Sequence, residues 1–259
     1  MKIIKTVYKL NFSLYLFILL SFSCGYFKPV LIIFFIVITH ECGHIFFIKL
    51  FHYPIVKVEI YAFGGITTVE KPINSSLNKE MIISLGGFLF QILLYILMTF
   101  FYRQNFLSVS FYETFKLYNK TILLFNLLPI IPLDGSVFCH ALLEKFFSYF
   151  SSFKIYKFIS IFSFFLFLIL NYVCHFNNYF MCLLLISQYI ILLKNEKYYF
   201  QKFYLERYLH NYPYRKIENN YTLEKEKLKK ETHHYFYHQN RFIDEKELLA
   251  DYYKKKRMY

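Results

Sequence analysis

His40-Glu41-Cys42-Gly43-His44 is an H-E-x-x-H set inside the apolar run from Val37 to Leu50. On a helix, positions i and i+4 share one face, so both imidazoles can present nitrogen to a single metal ion. Glu41 projects about 100° round the helix from His40. There a carboxylate can hold a water activated by the metal and take its proton. Zinc suits this chemistry, because it lowers the pKa of such a water to about 7 and supplies a nucleophile at neutral pH. Two histidines bridging packed membrane helices are the structural alternative, but that arrangement gives Glu41 no task. Ionisable groups are costly at bilayer depth and are functional hypotheses by default.

Catalytic zinc takes a third protein ligand and keeps its fourth position open. Three aspartates are present, Asp134, Asp244 and Asp251, and the last two lie in the polar C-terminal stretch. Asp134 sits in NLLPIIPLDGS, directly after Pro129 and Pro132. Its depth in the membrane matches that of the histidine pair, although Asp-Gly is also a turn signal. His52 and His140 compete with it as third ligand. His175 reads as an interfacial residue, and His233, His234 and His238 read as solvated or interfacial packing.

The elements that must hold these residues are membrane helices. The chain has 259 residues, 57% hydrophobic and 23% aromatic, far more apolar than a soluble domain. No Asp, Glu, Lys or Arg occurs from Met81 to Phe101 or from Phe158 to Leu193. Each window exceeds the roughly 20 residues a helix needs to cross the hydrocarbon core. The pattern predicts an all-α polytopic membrane protein with about six spans, near 11–27, 30–51, 81–101, 118–140, 157–174 and 178–194. Lys2, Lys5 and Lys9 precede the first apolar run without a small-residue cleavage site after it, which favours a signal-anchor helix over a cleaved signal peptide.

Pro129 and Pro132 must interrupt the fourth span, and broken backbone at membrane depth needs protein or a water-filled cavity around it. Lys and Arg at the span ends place both termini in the cytoplasm. The histidines and Asp134 then fall in the cytoplasmic half of the bilayer of a cell membrane. The segment VKVEIYAFGGITTVE alternates apolar and polar residues around Phe63-Gly64-Gly65, as a short β-hairpin does.

Residues 1–194 form the expected membrane domain, and 195–259 a basic cytoplasmic tail, helical around LEKEKLKKE and too short for a sizeable core of its own. The formal net charge of +13 fits the anionic inner leaflet better than nucleic acid in a chain of this kind. Cys24, Cys42, Cys139, Cys174 and Cys182 form no CxxC pair and no disulfide framework.

An intramembrane H-E-x-x-H followed by a distant N-x-x-P-x-x-P-L-D-G resembles the site-2 protease family of zinc intramembrane metalloproteases. The FGG of the hairpin and SLGGFLFQ, from Ser84 to Gln91, are similar to further motifs of that family. The six-span layout without a PDZ insertion is similar to its sporulation branch, the stage IV sporulation protein FB type. The resemblance covers roughly residues 10–195. It implies one Zn2+ per chain held by His40, His44 and Asp134, Glu41 as catalytic base, and Asn126 positioning substrate or oxyanion.

The resemblance implies an intramembrane endopeptidase that cuts membrane-tethered proteins, with a pro-sigma factor as the sporulation-type substrate, in the company of regulatory membrane partners. A housekeeping protease clearing signal-peptide remnants would carry the same motifs. A non-hydrolytic metal-binding or transport protein would share the histidines but has no need of Glu41. The chain departs from the family pattern at Gly87-Phe88, where Gly-Pro is usual, at Gln91, where Asn is usual, and at Ser136.

Overall fold

The computed structural model describes residues 7–10, 15, 18, 19, 21, 23, 25–61, 64–173, 179–212, 214, 216–238 and 240–257. The chain divides into two compact units, one of residues 1–71 and 82–127 and one of 72–81 and 128–259.

In the first unit, helix α1 (Phe27–Leu50) buries Ile32, Ile36, His40, Gly43, His44 and Ile48, a stripe spaced by three and four residues. The H-E-x-x-H therefore continues the packed face of the helix. At its C-terminal end His52 adopts φ 59°, with its N–H on Lys49 O and the Tyr53 N–H on Ile48 O. Those two bonds make a left-handed helix cap. This is the task of His52, which is exposed at the helix end.

Strands β2 (Ile55–Tyr61) and β3 (Gly64–Val69) follow as the expected antiparallel hairpin, with Tyr61 opposite Gly64. Ala62 and Phe63, at its tip, lie outside the described residues. A third strand was not expected. β1 (Val7–Leu10) pairs in parallel with β2, Val7 opposite Lys57 and Leu10 opposite Ile60, giving the order β1-β2-β3. Ile55, Val58 and Val69 pack onto Ile45 and Ile48 of α1, which seats the sheet beside the helix. The expected first span near 11–27 falls largely outside the described residues.

Helix α2 (Leu77–Arg103), whose first residues to Met81 belong to the second unit, and helix α3 (Val109–Leu127) complete this unit. Ile32 and Ile36 of α1 meet Leu94 of α2 and Tyr112 and Phe115 of α3 in one apolar cluster. Gly43 and Gly86 sit where α1 and α2 cross. A Cβ on Gly43 would stand 2.2 Å from the Gly86 carbonyl oxygen, and one on Gly86 would stand 2.7 Å from that of Gly43. Only glycine permits so close an approach of backbones.

In the second unit the backbone leaves the helix at Leu128 and re-enters it in α4 (Asp134–Phe146). The break predicted from Pro129 and Pro132 is present. The helix before it begins at Val109 rather than near 118, because the charged residues Glu113, Lys116 and Lys120 are accommodated within it. Helix α5 (Tyr149–Val173) follows, and helix α6 (Tyr179–Leu209) continues well past the expected end of the sixth span. Cys174 and His175 lie outside the described residues.

Among the described residues, three helices are long and apolar enough to cross a membrane: Phe27–Leu50, Leu77–Arg103 and Tyr149–Leu170. Most of each stays unburied by protein, as a lipid-facing surface should. The protein is mostly helical and membrane-embedded.

The tail corrects an expectation. LEKEKLKKE forms no helix beyond the short turn Lys225–Lys227. Its charges leave no apolar stripe, and Leu228 is drawn out of the segment into a fully buried site. The chain instead builds a second sheet from β4 (Lys216–Asn220), β5 (Thr232–His238) and β6 (Arg241–Asp244), closed by α7 (Glu245–Arg257). With two three-stranded sheets, the protein is not all-α. The tail shares its core with the helices: Leu228, Phe236, Ile243 and Leu249 pack on Tyr149, Phe203 and Tyr204.

Candidate metal centre

His40 and His44 lie one turn apart on α1, with ring centroids 4.9 Å apart and Nε2 atoms 3.2 Å apart. Their protonation follows from their partners. The Gln91 amide nitrogen donates to Asn119 O at 2.8 Å, which turns the Gln91 Oε1 towards His40 Nδ1 at 3.1 Å. An amide oxygen can only accept, so His40 Nδ1 carries the hydrogen. The Ile83 carbonyl, 2.7 Å from His44 Nδ1, imposes the same choice on the second ring. With both rings as neutral imidazoles, both Nε2 atoms direct lone pairs to one place and cannot bond to each other. Two zinc ligands at about 2.1 Å in tetrahedral geometry stand about 3.4 Å apart, close to the separation seen here.

The space between them is kept open by Gly87. A Cβ there would lie 2.4 Å from His40 Nε2 and 2.6 Å from His44 Nε2. Donor type, tautomer and open space together fit a zinc ion. Gln91 is fully buried in the charge-free stretch of α2. It holds His40 as outer-sphere carbonyl and carboxylate partners commonly hold metal-binding histidines. Its signal in the sequence is an amide inside an otherwise apolar helix.

Glu41, the residue after His40, is half-buried. The backbone of β3 passes close to it: a Cβ on Gly65 would stand 2.9 Å from Glu41 Cγ and Cδ and 3.0 Å from Oε2. The glycine of the hairpin makes room for the carboxylate. Sequence alone shows the glycine but not what faces it.

Asn126 is half-buried in the last turn of α3. Asp134 belongs to the second unit, where it is the first residue of α4 and half-buried. His140, the competing ligand, is taken up in the packing of that unit. Its ring stacks on Tyr156 at 4.5 Å and lies edge-on to Phe153, with Nε2 3.7 Å from Glu144 Oε1.

His233 and His234 of the tail are taken up in its own structure. His234 is completely buried, with Nε2 accepting the Lys229 N–H at 3.0 Å and Nδ1 2.9 Å from the Asn220 amide. His233 lies 2.9 Å from Asp244. Burial, followed by the charges of Arg207, Lys229 and His233, lowers the His234 pKa to about 3. An unfolded chain protonates the same residue near its ordinary value of about 6.5.

The stabilisation from a neutral His234 is therefore complete above about pH 6.5 and is lost as pH falls, reaching about 2 kcal/mol by pH 5. Amide exchange of β5, corrected for intrinsic rates, should accelerate roughly 30-fold between pH 7 and pH 5. A flat corrected profile would refute this account of His234.

Similarities to known proteins agree with the geometry. The chain is 33% identical over 126 residues to the stage IV sporulation protein FB of Bacillus subtilis (strain 168), a match covering 49% of this chain and 44% of that protein. It is 30% identical over 120 residues to a zinc metalloprotease of Methanocaldococcus jannaschii, covering 46% of this chain and 35% of that one. The solved site-2 protease from Methanocaldococcus jannaschii superposes with a TM-score of 0.52 at 22% identity, over 73% of this chain and 90% of that chain. The resemblance to the site-2 protease family holds in sequence and in fold. The matched regions span less than half of either curated relative, and no family model matches the chain.

Proposed function

We propose that the chain is a zinc-dependent intramembrane endopeptidase of the site-2 protease type, acting on membrane-tethered proteins. The observation that carries this reading is the convergence of the two Nε2 atoms at 3.2 Å, their tautomers set by Gln91 and Ile83, on a helix that carries Glu41 next to His40. His40, His44 and Asp134 would hold the ion. Asp134 is assigned by the match of its motif and by being the single aspartate before the tail. Zinc there supplies an acidified water and an electrophile for the scissile carbonyl.

The residues of the chain do the rest. Glu41 accepts the proton of the attacking water and passes it to the leaving amine. Asn126 positions the substrate or its developing oxyanion. A substrate helix hides its peptide bonds in i to i−4 hydrogen bonds and must unwind first. The hairpin supports reception of that extended segment: β1 covers one edge of β2, and among the described residues β3 pairs only with β2, so its outer edge is open to an added strand. Residues 1–194 act as the membrane-embedded catalytic part and 195–259 as its cytoplasmic appendage. Both termini are cytoplasmic in this reading, with the site in the cytoplasmic half of the bilayer.

The likeness to a sporulation protein favours a pro-sigma factor as substrate, and clearance of signal-peptide remnants is the alternative within the same chemistry. The test uses the full chain in detergent or nanodiscs with a panel of single-span substrates, one of them of pro-sigma type. Removing zinc with a chelator should reduce cleavage to background, and stoichiometric zinc should restore it. Undiminished cleavage by metal-free protein would refute the proposal. The substrate that is cut separates the two roles.

A further inference from the structure

Four consecutive tail residues, Leu228 to Glu231, grip the segments around them within the second unit. The Leu228 carbonyl accepts the Tyr149 N–H at 3.0 Å, at the start of α5. Glu231 Oε1 accepts the Leu77 N–H at 3.0 Å, at the first turn of α2. Between them Lys230, 6% exposed, places its ammonium 2.9 Å from Glu144 Oε2 and 3.5 Å from Glu80 Oε1. Glu144 is 1% exposed and Glu80 9% exposed. Glu80 also accepts a hydrogen bond from Ser75. A lysine and two carboxylates, all out of water, persist only as a mutually paired set.

Glu144 lies on α4, and the first residue of that helix is Asp134. The ten helical steps from one to the other are about 15 Å of continuous helix, a rod too short to bend appreciably. Whatever holds Glu144 also sets the axial position of Asp134.

We propose that Lys230 is a positioning residue for the metal centre: from the tail it clamps α4 through Glu144, and so fixes Asp134. The inference rests on the reading of Asp134 as a ligand. It gives the tail a defined role in the chemistry, which continues only while the clasp at 228–231 is closed.

The experiment uses the full chain in nanodiscs, with cobalt(II) as the metal probe and the variants Lys230→Met, Lys230→Arg, Glu144→Gln and Asp134→Asn. In metal-free protein, amide exchange at residues 135–140 should become about tenfold faster in Lys230→Met and Glu144→Gln. With cobalt bound, the visible bands of both should shift towards those of Asp134→Asn. Lys230→Arg keeps the charge and should stay close to the parent protein in both measurements. Glu144→Gln leaves one lysine facing one carboxylate, so it carries the test even where Lys230→Met fails to fold.

Parent-like exchange and bands in Lys230→Met or Glu144→Gln, while Asp134→Asn alters the bands, would overturn the clasp alone. Bands unchanged in Asp134→Asn would instead remove the ligand assignment, and this inference with it.

Discussion

Gly87→Ala is expected to abolish metal binding while the protein remains folded. The added methyl would stand 2.4 Å from His40 Nε2, 2.5 Å from His40 Cε1 and 2.6 Å from His44 Nε2, in the space between the two lone pairs. The neighbours cannot easily give way. His40 is tied to Gln91 and His44 to the Ile83 carbonyl. The α2 backbone cannot retreat or turn cheaply, because one residue earlier Gly86 is in backbone contact with Gly43. The rings must break their Nδ1 bonds, or the methyl takes the place of the ion.

Alanine is itself a better helix former than glycine, so helicity should not suffer. Zinc affinity should fall beyond the roughly 10–100-fold typical of losing an outer-sphere partner, with cleavage falling in parallel. Elemental analysis after dialysis against a buffered zinc pool measures it. Parent-like zinc in Gly87→Ala would show that the ion does not sit between the two Nε2 atoms.

Glu41→Gln should do the reverse, keeping zinc and losing cleavage by a factor of about 10²–10⁴, the usual contribution of a positioned general base. Glutamine preserves the shape of the side chain in the gap beside Gly65 but has no basic oxygen to take the proton. The close fit of that gap supplies a second variant. In Gly65→Ala the methyl would press on Cγ and Cδ from 2.9 Å, moving the carboxylate without removing it. Its cleavage should fall less than that of Glu41→Gln, and its zinc content should not change. Zinc content and single-turnover cleavage, measured on the same preparations, distinguish the two. A Glu41→Gln protein that cuts at the parent rate would rule out Glu41 as the base.

The part of the site legible in the sequence is the part carried on one element. His40 and His44 meet because an α-helix repeats every 3.6 residues, and that rule needs no tertiary knowledge. The β2–β3 hairpin was legible from its period of two, and the break after Leu127 from Pro129 and Pro132, which cannot continue a helix. Contacts between distant residues were not legible. The open space at Gly87 depends on how α1 and α2 cross, and the room for Glu41 depends on where β3 is seated.

The tail misled for a related reason. LEKEKLKKE has strong helix formers throughout, yet Leu228 and Lys230 find burial and ion pairs elsewhere, one of them with Glu80, 150 residues away. Tertiary contacts then override local propensity. THHYFYH did carry its signal, since Thr232, His234 and Phe236 alternate inward with period two, but six aromatic and imidazole side chains in a row also suit a surface cluster.

The contact of Gly43 with Gly86 has a consequence for turnover. With backbones touching there, neither helix can rotate about its axis without pulling apart, and His40, His44 and Gln91 share that immobility. Their rotational entropy is surrendered once, when the helices pack, rather than at every encounter with a substrate. Reacting groups held still in advance lower a barrier without drawing on the energy of binding. In the proposed protease, what a substrate contributes on docking would thus remain for its own most demanding step, the local unwinding of a hydrogen-bonded helix.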